Sequence, residues 1–227
     1  MKPKALLAWS SGKDSAWALH RLRQGGEVEV IGLVTTFNDV FQRVAMHGVR
    51  RELVQAQANA ARLPLWSIPL PWPCTNAAYE DRMRGVVERA RHEGVSVFAF
   101  GDLFLEDIRA YRERQLANTG LAPIFPLWGT PADTPALARA MTDGGLRATL
   151  ACVDPKQLDP TFVGREFDDA LLADFPPSVD PCGERGEFHT FCHSGPMFES
   201  PIPVRVGETV LRDGFAFSDI MPIDALD

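Results

Sequence analysis

Apolar runs of strand length alternate with longer amphipathic stretches through the first half of the chain. Ala5-Leu6-Leu7-Ala8-Trp9 is the first apolar run, and Ala16 to Arg23 beyond it reads as a helix that Gly25-Gly26 stops. Val28 to Val34 predicts a second strand, with Thr35 to Asp39 as the loop at its end. Val49, Leu53, Ala56 and Ala60 recur at helical spacing, and Pro64 closes that helix. Trp66 to Leu70 is a weaker strand, since Pro69 suits an edge or a strand end. Ala77 to Glu93 is a charged helix with Met83, Val86, Val87 and Ala90 on one face. Val95 to Phe100 is the clearest buried strand. Leu105 to Ala117 is helical, and Pro123 to Trp128 runs extended. Strands alternating with helices of this length imply βαβ units and a parallel sheet.

The pattern changes at Gly129-Thr130-Pro131, which marks a boundary between segments 1–129 and 130–227. A helix is expected from Thr134 to Thr142, a strand from Arg147 to Val153, and a helix from Thr161 to Ala173, broken by Phe175-Pro176-Pro177. Beyond Ser178 proline and glycine are dense, and the expected elements are short strands: Phe188 to Cys192, Ile202 to Val206 and Thr209 to Phe217. The fold class is therefore α/β, a Rossmann-like parallel-sheet domain followed by a smaller α+β domain.

With 227 residues, 45% hydrophobic and 23% charged, the chain has an ordinary globular composition. A chain of this length buries roughly 70% of its unfolded surface, enough for a core without staples. The net charge of −7 argues against non-specific nucleic-acid binding, which needs a basic footprint. Cys74, Cys152, Cys182 and Cys192 form no Cys-x-x-Cys pair, so a zinc or redox site is not expected, and scattered thiols fit a cytoplasmic protein. The apolar run before the first polar loop is too short for a signal peptide, and no stretch approaches a membrane span.

The most informative chemistry is in the turn Ser10-Ser11-Gly12-Lys13-Asp14-Ser15. A buried strand, a tight turn of small residues and a helix start leave backbone N–H groups unpaired, and the helix dipole favours an anion there. Ser10, Ser11 and Ser15 add hydroxyl donors and Lys13 a positive charge. A plain connection with Asp14 or Ser15 as N-cap would need fewer small polar groups. The Walker pattern is excluded because Leu7 stands five residues before Gly12, and the three-glycine dinucleotide fingerprint is absent. Ligands of open parallel sheets sit beyond the carboxyl ends of the strands. Thr35 and Gly101-Asp102 are at such ends, so they join the candidate nucleotide site. Asp102 suits a ribose, a metal or a helix N-cap, and the residues alone do not choose.

A second constellation is Asp180-Pro181-Cys182-Gly183-Glu184-Arg185-Gly186-Glu187-Phe188-His189-Thr190. As a strand it would place Glu187 and His189 on one face, the acid and imidazole pairing that proton handling requires, with Phe188 on the other. A polar turn with solvated charges is the alternative.

The first turn resembles the pyrophosphate loop of the PP-loop ATPases, Ser-Gly-Gly-x-Asp-Ser after the first strand. Ser10, Gly12, Asp14 and Ser15 match, and Ser11 replaces a glycine. The second constellation resembles the signature of the diphthine–ammonia ligase family, a PP-loop branch, with Arg185 in place of its common asparagine. Met46-His47, Gln57-Ala58, Gly101-Asp102, Pro126-Leu127-Trp128, Val153-Asp154 and Gly164-Arg165 fit the same family, so the resemblance spans nearly the whole chain. It implies an ATP-dependent amide-forming ligase that makes an acyl-adenylate, releases pyrophosphate, and lets ammonia displace AMP. ATP and Mg²⁺ are the implied cofactors. ATP, ammonia and a carboxylate-bearing substrate, such as a protein side chain, are the implied partners, and a homodimer is left open.

Implied ATP-binding residues are Ser10, Ser11, Gly12, Lys13, Asp14, Ser15, Thr35, His47, Gly101 and Asp102. Lys13, Glu184, Glu187 and His189 are the implied catalytic residues, and Gly186, Glu187, Phe188, His189 and Thr190 the substrate-binding ones. No metal ligands follow from the sequence. With no glutaminase segment visible, free ammonia is the expected nitrogen source. A PP-loop enzyme that modifies RNA, or a nucleotide sensor without turnover, is the alternative function.

Overall fold

A computed structural model describes residues 1–44 and 48–223. Six strands form the first sheet: β1 (Lys4–Ala8), β2 (Glu29–Asn38), β3 (Arg43–Val44), β4 (Leu65–Leu70), β5 (Val95–Ala99) and β6 (Ala122–Ile124). β1 is central, parallel to β2 on one side and to β5 on the other, with β6 beyond β5 and β4 beyond β2. The two-residue β3 pairs antiparallel with the end of β2, past the point where β1 has stopped. Five of the six strands are thus mutually parallel, as strand–helix alternation requires.

The centre of this sheet is buried on both faces, which is why its strands are continuous apolar runs. Along β1, Leu6 joins one hydrophobic cluster and Leu7 the other; Phe98 and Ala99 of β5 divide the same way. Helices α1 (Lys13–Gly25) and α2 (Arg51–Ala60) put Trp17, Leu19, Leu53 and Val54 in the cluster on one face. On the other face Val86 of α3 (Asn76–His92) and Leu116 of α4 (Glu106–Leu116) pack against Phe98.

After α5 (Thr134–Asp143), a second, antiparallel sheet has the order β8-β7-β10-β9, from β7 (Arg147–Val153), β8 (Phe188–Ser194), β9 (Val204–Arg212) and β10 (Phe215–Pro222). Its buried Leu150, Phe191 and Ala216 belong to the same cluster as Leu7, Ala16 and Leu19. Helix α1 is therefore packed against both sheets, and the segments before and after residue 129 share one core. An ion-pair network adds a second tie: Asp219 of β10 accepts from Arg43 at 3.0 Å and from Arg50 at 2.6 and 3.1 Å.

Three expected elements are corrected. Residues 35–39 do not form a loop: β2 continues to Asn38, because β4 and β3 supply ladder partners there. The stretch 161–173 is not one helix. Pro160–Phe162 is a single 3₁₀ turn, Gly164 takes a φ of 82°, and only α6 (Asp169–Asp174) is α-helical, capped by the Asp168 carboxylate on Leu171 N at 2.8 Å. The strand expected from Thr209 to Phe217 is a hairpin turning at Asp213-Gly214, whose φ values of 52° and 85° mark a primed two-residue turn.

Candidate active site

The Ser10–Ser15 turn follows β1 and opens α1. Its entry is pinned by Trp9 N donating to Val34 O at 2.8 Å. The Trp9 indole donates to Gln57 Oε1 at 2.8 Å, and the Gln57 amide donates in turn to Ser11 O at 2.9 Å and Cys192 O at 2.6 Å. Gln57 is fully buried, and its one side chain ties β1, the turn and β8 together. Ser10 Oγ is 3.2 Å from Ser15 Oγ and accepts from Gly12 N at 3.3 Å; Ser15 Oγ donates to Gly12 O at 3.0 Å. The α1 ladder begins with Ala16 N on Gly12 O, so the amides of Asp14 and Ser15 precede it, at the positive end of the helix.

The turn is completed by the second sheet. Gly12 is the N-cap of α1 and has no side chain to offer; Thr190 Oγ1 of β8 accepts from Lys13 N instead, at 3.0 Å. Cys192 N donates to Ser11 O at 2.9 Å. A Cβ on Gly12 would stand 3.2 Å from Thr190 O, so any side chain there would push β8 back by a few tenths of an ångström. Gly101 is confined in the same way from the first sheet: its Cβ would stand 3.1 Å from the Asp14 carbonyl carbon and Ser15 N.

Both constellations line one cavity of about 500 Å³, within the range of roughly 300–1,000 Å³ common to small-molecule sites. Ser10, Gly12, Lys13, Asp14 and Ser15 border it on one part; Gly183, Glu184, Phe188, His189 and Thr190 border another. Ala8, Val34, Met83 and Phe98 supply an apolar wall, and Gly101, Asp102 and Arg112 follow the end of β5. The cavity thus sits at the carboxyl ends of the parallel strands, as open α/β sheets require.

Several expected residues are oriented otherwise than the sequence suggested. The Lys13 ammonium is 1% exposed. It donates to both Asp14 carboxylate oxygens at 2.9 Å and to the Cys182 carbonyl, and lies 5.5 and 5.4 Å from the Phe167 and Phe188 ring centres. Burial alone would lower its pKa, but Asp14, Cys182 and Glu184 outweigh that and raise it, so it stays charged and committed to the protein. Ser11 takes a φ of 71°, its buried hydroxyl has no hydrogen-bond partner among the described residues, and it does not line the cavity. Thr35 is 1% exposed and donates to Trp9 O at 2.8 Å, while its neighbours Val34 and Thr36 line the cavity; with β2 continuing to Asn38, strand alternation turns the Thr35 side chain away. His47 and Met46 lie outside the described residues.

Glu187 is buried, and it does not sit beside His189 on a strand face, because β8 begins at Phe188. Its two oxygens accept from Asp180 N and Arg185 N, each at 3.0 Å, bracing the 180–187 loop from within. Gly186 has a φ of 85° and serves that loop's turn. Glu184 does reach the cavity. It accepts from Leu103 N at 2.8 Å, and desolvation raises its pKa to about 7, with Asp14 and Asp102 adding to the rise. His189 also lines the cavity; burial and then the Lys13 charge lower its pKa to about 4, so it is neutral at neutral pH.

Asp102 is not a cap, since α4 is preceded by Leu105 as N-cap. It faces Arg112 Nε at 3.5 Å, and burial raises its pKa. Sequence reading missed Gln57 as the hub and Arg112 altogether. A signal for Arg112 existed: Leu105, Ile108 and Arg112 lie at helical spacing just beyond Gly101-Asp102, and all three line the cavity.

A parallel sheet carrying this turn after its first strand is the architecture of a PP-loop α/β protein. The chain belongs to the diphthamide synthase family: residues 1–123 match its N-terminal domain and residues 133–222 its C-terminal domain. It is 32% identical over 236 residues to the diphthine–ammonia ligase of Danio rerio, covering 93% of this chain and 90% of that protein. The human protein of the same name is 25% identical over 246 residues, covering 97% of this chain and 89% of its own length. No helix among the described residues is long and apolar enough to cross a membrane.

Proposed function

We propose that the chain is an ATP-dependent carbon–nitrogen ligase that activates a carboxylate as its adenylate and amidates it with ammonia. The observation that carries this reading is the bond from Lys13 N to Thr190 Oγ1, which joins the two constellations at one cavity. A site that only gripped a nucleotide would have no use for a second, titratable wall beside the phosphate turn. The Danio rerio and human relatives are both named diphthine–ammonia ligase, and this chain spans most of their length.

In this reading the amides and hydroxyls of Ser10, Gly12, Asp14 and Ser15 hold the phosphates. The apolar wall of Ala8, Val34, Met83 and Phe98 takes the base, and Asp102 accepts from a ribose hydroxyl through its other oxygen, Oδ2 being turned to Arg112. A substrate carboxylate oxygen attacks the α-phosphorus, and pyrophosphate leaves. Ammonia then attacks the acyl carbon, AMP leaves, and the nitrogen gives up a proton. Glu184, half in its neutral form near pH 7, can take that proton once ionised. Neutral His189 can hold the acyl or amine group without repelling it. Lys13 and Glu187 act as positioning residues, by fixing Asp14 and the 180–187 loop.

The described residues contain no group of three metal-ligating side chains. Mg²⁺ bound with a nucleotide needs only one or two protein carboxylates. Asp14 fits: it lines the cavity, is 27% exposed, and keeps lone pairs beyond those that Lys13 uses. Bound there with the phosphates, Mg²⁺ would offset their charge.

Incubating the protein with ATP, ammonium and a panel of carboxylates, and identifying the nucleotide product, tests the reading. AMP and pyrophosphate formed only with a particular carboxylate support it. Release of ADP and phosphate, or no turnover across the panel, rejects it.

A further inference from the structure

An anionic ligand needs positive charge, and this cavity is short of it. Asp14, Asp102 and Glu184 face the cavity, and the Lys13 ammonium is spent on Asp14 and the Cys182 carbonyl. Among the described residues that line it, Arg112 is the remaining cation.

Arg112 is built into place. Its guanidinium carbon lies 5.0 Å from the Phe100 ring centre, within cation–π range. Asp102 pairs with it: Oδ2 lies 3.5 Å from Arg112 Nε, and these two buried atoms have no other partner among the described residues. Arg109, one turn earlier on α4, shows the contrast: its Nε donates to Glu113 at 2.8 Å, and its guanidinium stacks on Trp128 at 4.7 Å. Arg109 is bonded away from the cavity, whereas Arg112 carries only the long pair with Asp102, is 29% exposed and borders the cavity.

Resting on the nucleotide-site reading above, we propose that Arg112 is the guanidinium that binds the phosphate oxyanions of the nucleotide in this cavity. A planar fork donates two parallel N–H bonds to one phosphate, which an ammonium cannot. Asp102 sets the orientation of the fork and leaves its outer donors open.

The test is calorimetric titration of the full chain and its Arg112→Gln and Arg112→Lys variants with ATP and, separately, with adenosine, with melting temperatures as a check on folding. Wild-type protein that binds no ATP defeats the nucleotide-site reading itself and is thereby distinguished from failure of this inference. Given wild-type binding, Arg112→Gln is expected to weaken ATP roughly tenfold to a hundredfold while adenosine affinity stays within about twofold. Arg112→Lys, which keeps the charge without the fork, should recover part of the ATP affinity. Unchanged ATP affinity in Arg112→Gln overturns the inference. An equal loss for ATP and adenosine, or an equal loss in both variants, also overturns it, because Arg112 would then only shape the cavity.

Discussion

Thr190 Oγ1 accepts a hydrogen bond from Lys13 N at 3.0 Å, across 177 positions of sequence, and so caps the helix that carries the phosphate turn. The residue at the cap position, Gly12, has no side chain to do this, and β8 approaches so closely that enlarging it would displace Thr190. The phosphate turn is therefore an assembled feature: the first sheet supplies the strand and helix, and the second supplies the cap.

Thr190→Val keeps the shape of the side chain and removes the acceptor. The orphaned Lys13 N–H should cost about 1–2 kcal/mol of stability. ATP affinity should fall by severalfold as the turn loosens, and Thr190→Ser, which keeps the hydroxyl, should restore most of both. Denaturant unfolding and ATP titration of the two variants measure this; equal behaviour of valine and serine would remove the capping role.

Ser11 gives the opposite sign. A non-glycine residue at φ 71° carries backbone strain, and the Ser11 hydroxyl is buried with no partner. Ser11→Gly relieves both, against a loss of chain entropy of roughly 0.5–1 kcal/mol. The expected net is a stabilisation of about 0.5–1 kcal/mol with ATP binding retained. Ser11→Ala removes only the hydroxyl and should gain less. A destabilised glycine variant in denaturant unfolding would show that the hydroxyl has a use the structure does not reveal.

These two residues also show what the sequence could and could not disclose. The strand, turn and helix around Gly12 are local, set by an apolar run and a cluster of small polar residues, and both were legible. So was the alternation that builds the parallel sheet. What decides each side chain's role comes from afar. The Lys13 ammonium turns inward because Cys182, 169 positions away, offers a carbonyl. Glu187 turns inward because its own loop presents Asp180 N and Arg185 N. Thr35 was misplaced by a local error instead: the strand runs four residues past Val34, to Asn38, where Phe37 and Asn38 pair with Val44 and Arg43. Sequence lists the groups that share a motif, and packing selects which of them face the ligand.

Glu184 and His189 make the pH dependence of stability testable, because they pull in opposite directions. Glu184 has a folded pKa raised from 4.5 to about 7 by desolvation, so its contribution to stability is lost as pH rises through that window. His189 has a folded pKa lowered from 6.5 to about 4 by burial, so its contribution is lost as pH falls through its own window. The two overlap between pH 4.5 and 6.5, where they largely cancel. Glu184→Gln should unmask a stability that rises with pH there, and His189→Gln one that falls. Denaturant midpoints taken across that range check both slopes; parallel profiles for the two variants would refute the assignment.

Glu187 separates a positioning role from a catalytic one. Its buried carboxylate accepts two backbone N–H groups at 3.0 Å each, that of Asp180 inside the protein and that of Arg185 nearer the surface. Glu187→Gln keeps one acceptor oxygen and turns an amide N–H₂ toward a backbone donor, so one end of the brace becomes a repulsion. The loss should be about 1–3 kcal/mol of stability, the cost of an unsatisfied buried donor. The brace shapes the loop bearing Gly183 and Glu184 and reaches the phosphate turn only through the Cys182 carbonyl on the Lys13 ammonium, so ATP affinity should change by less than about threefold. The turnover of any substrate found in the carboxylate screen should fall with its pH profile keeping the same midpoint, since Glu184 still titrates. A catalytic Glu187 would instead take one limb of that profile with it when replaced, at unchanged stability. Unfolding and a pH–rate series on the single variant therefore decide between the two roles.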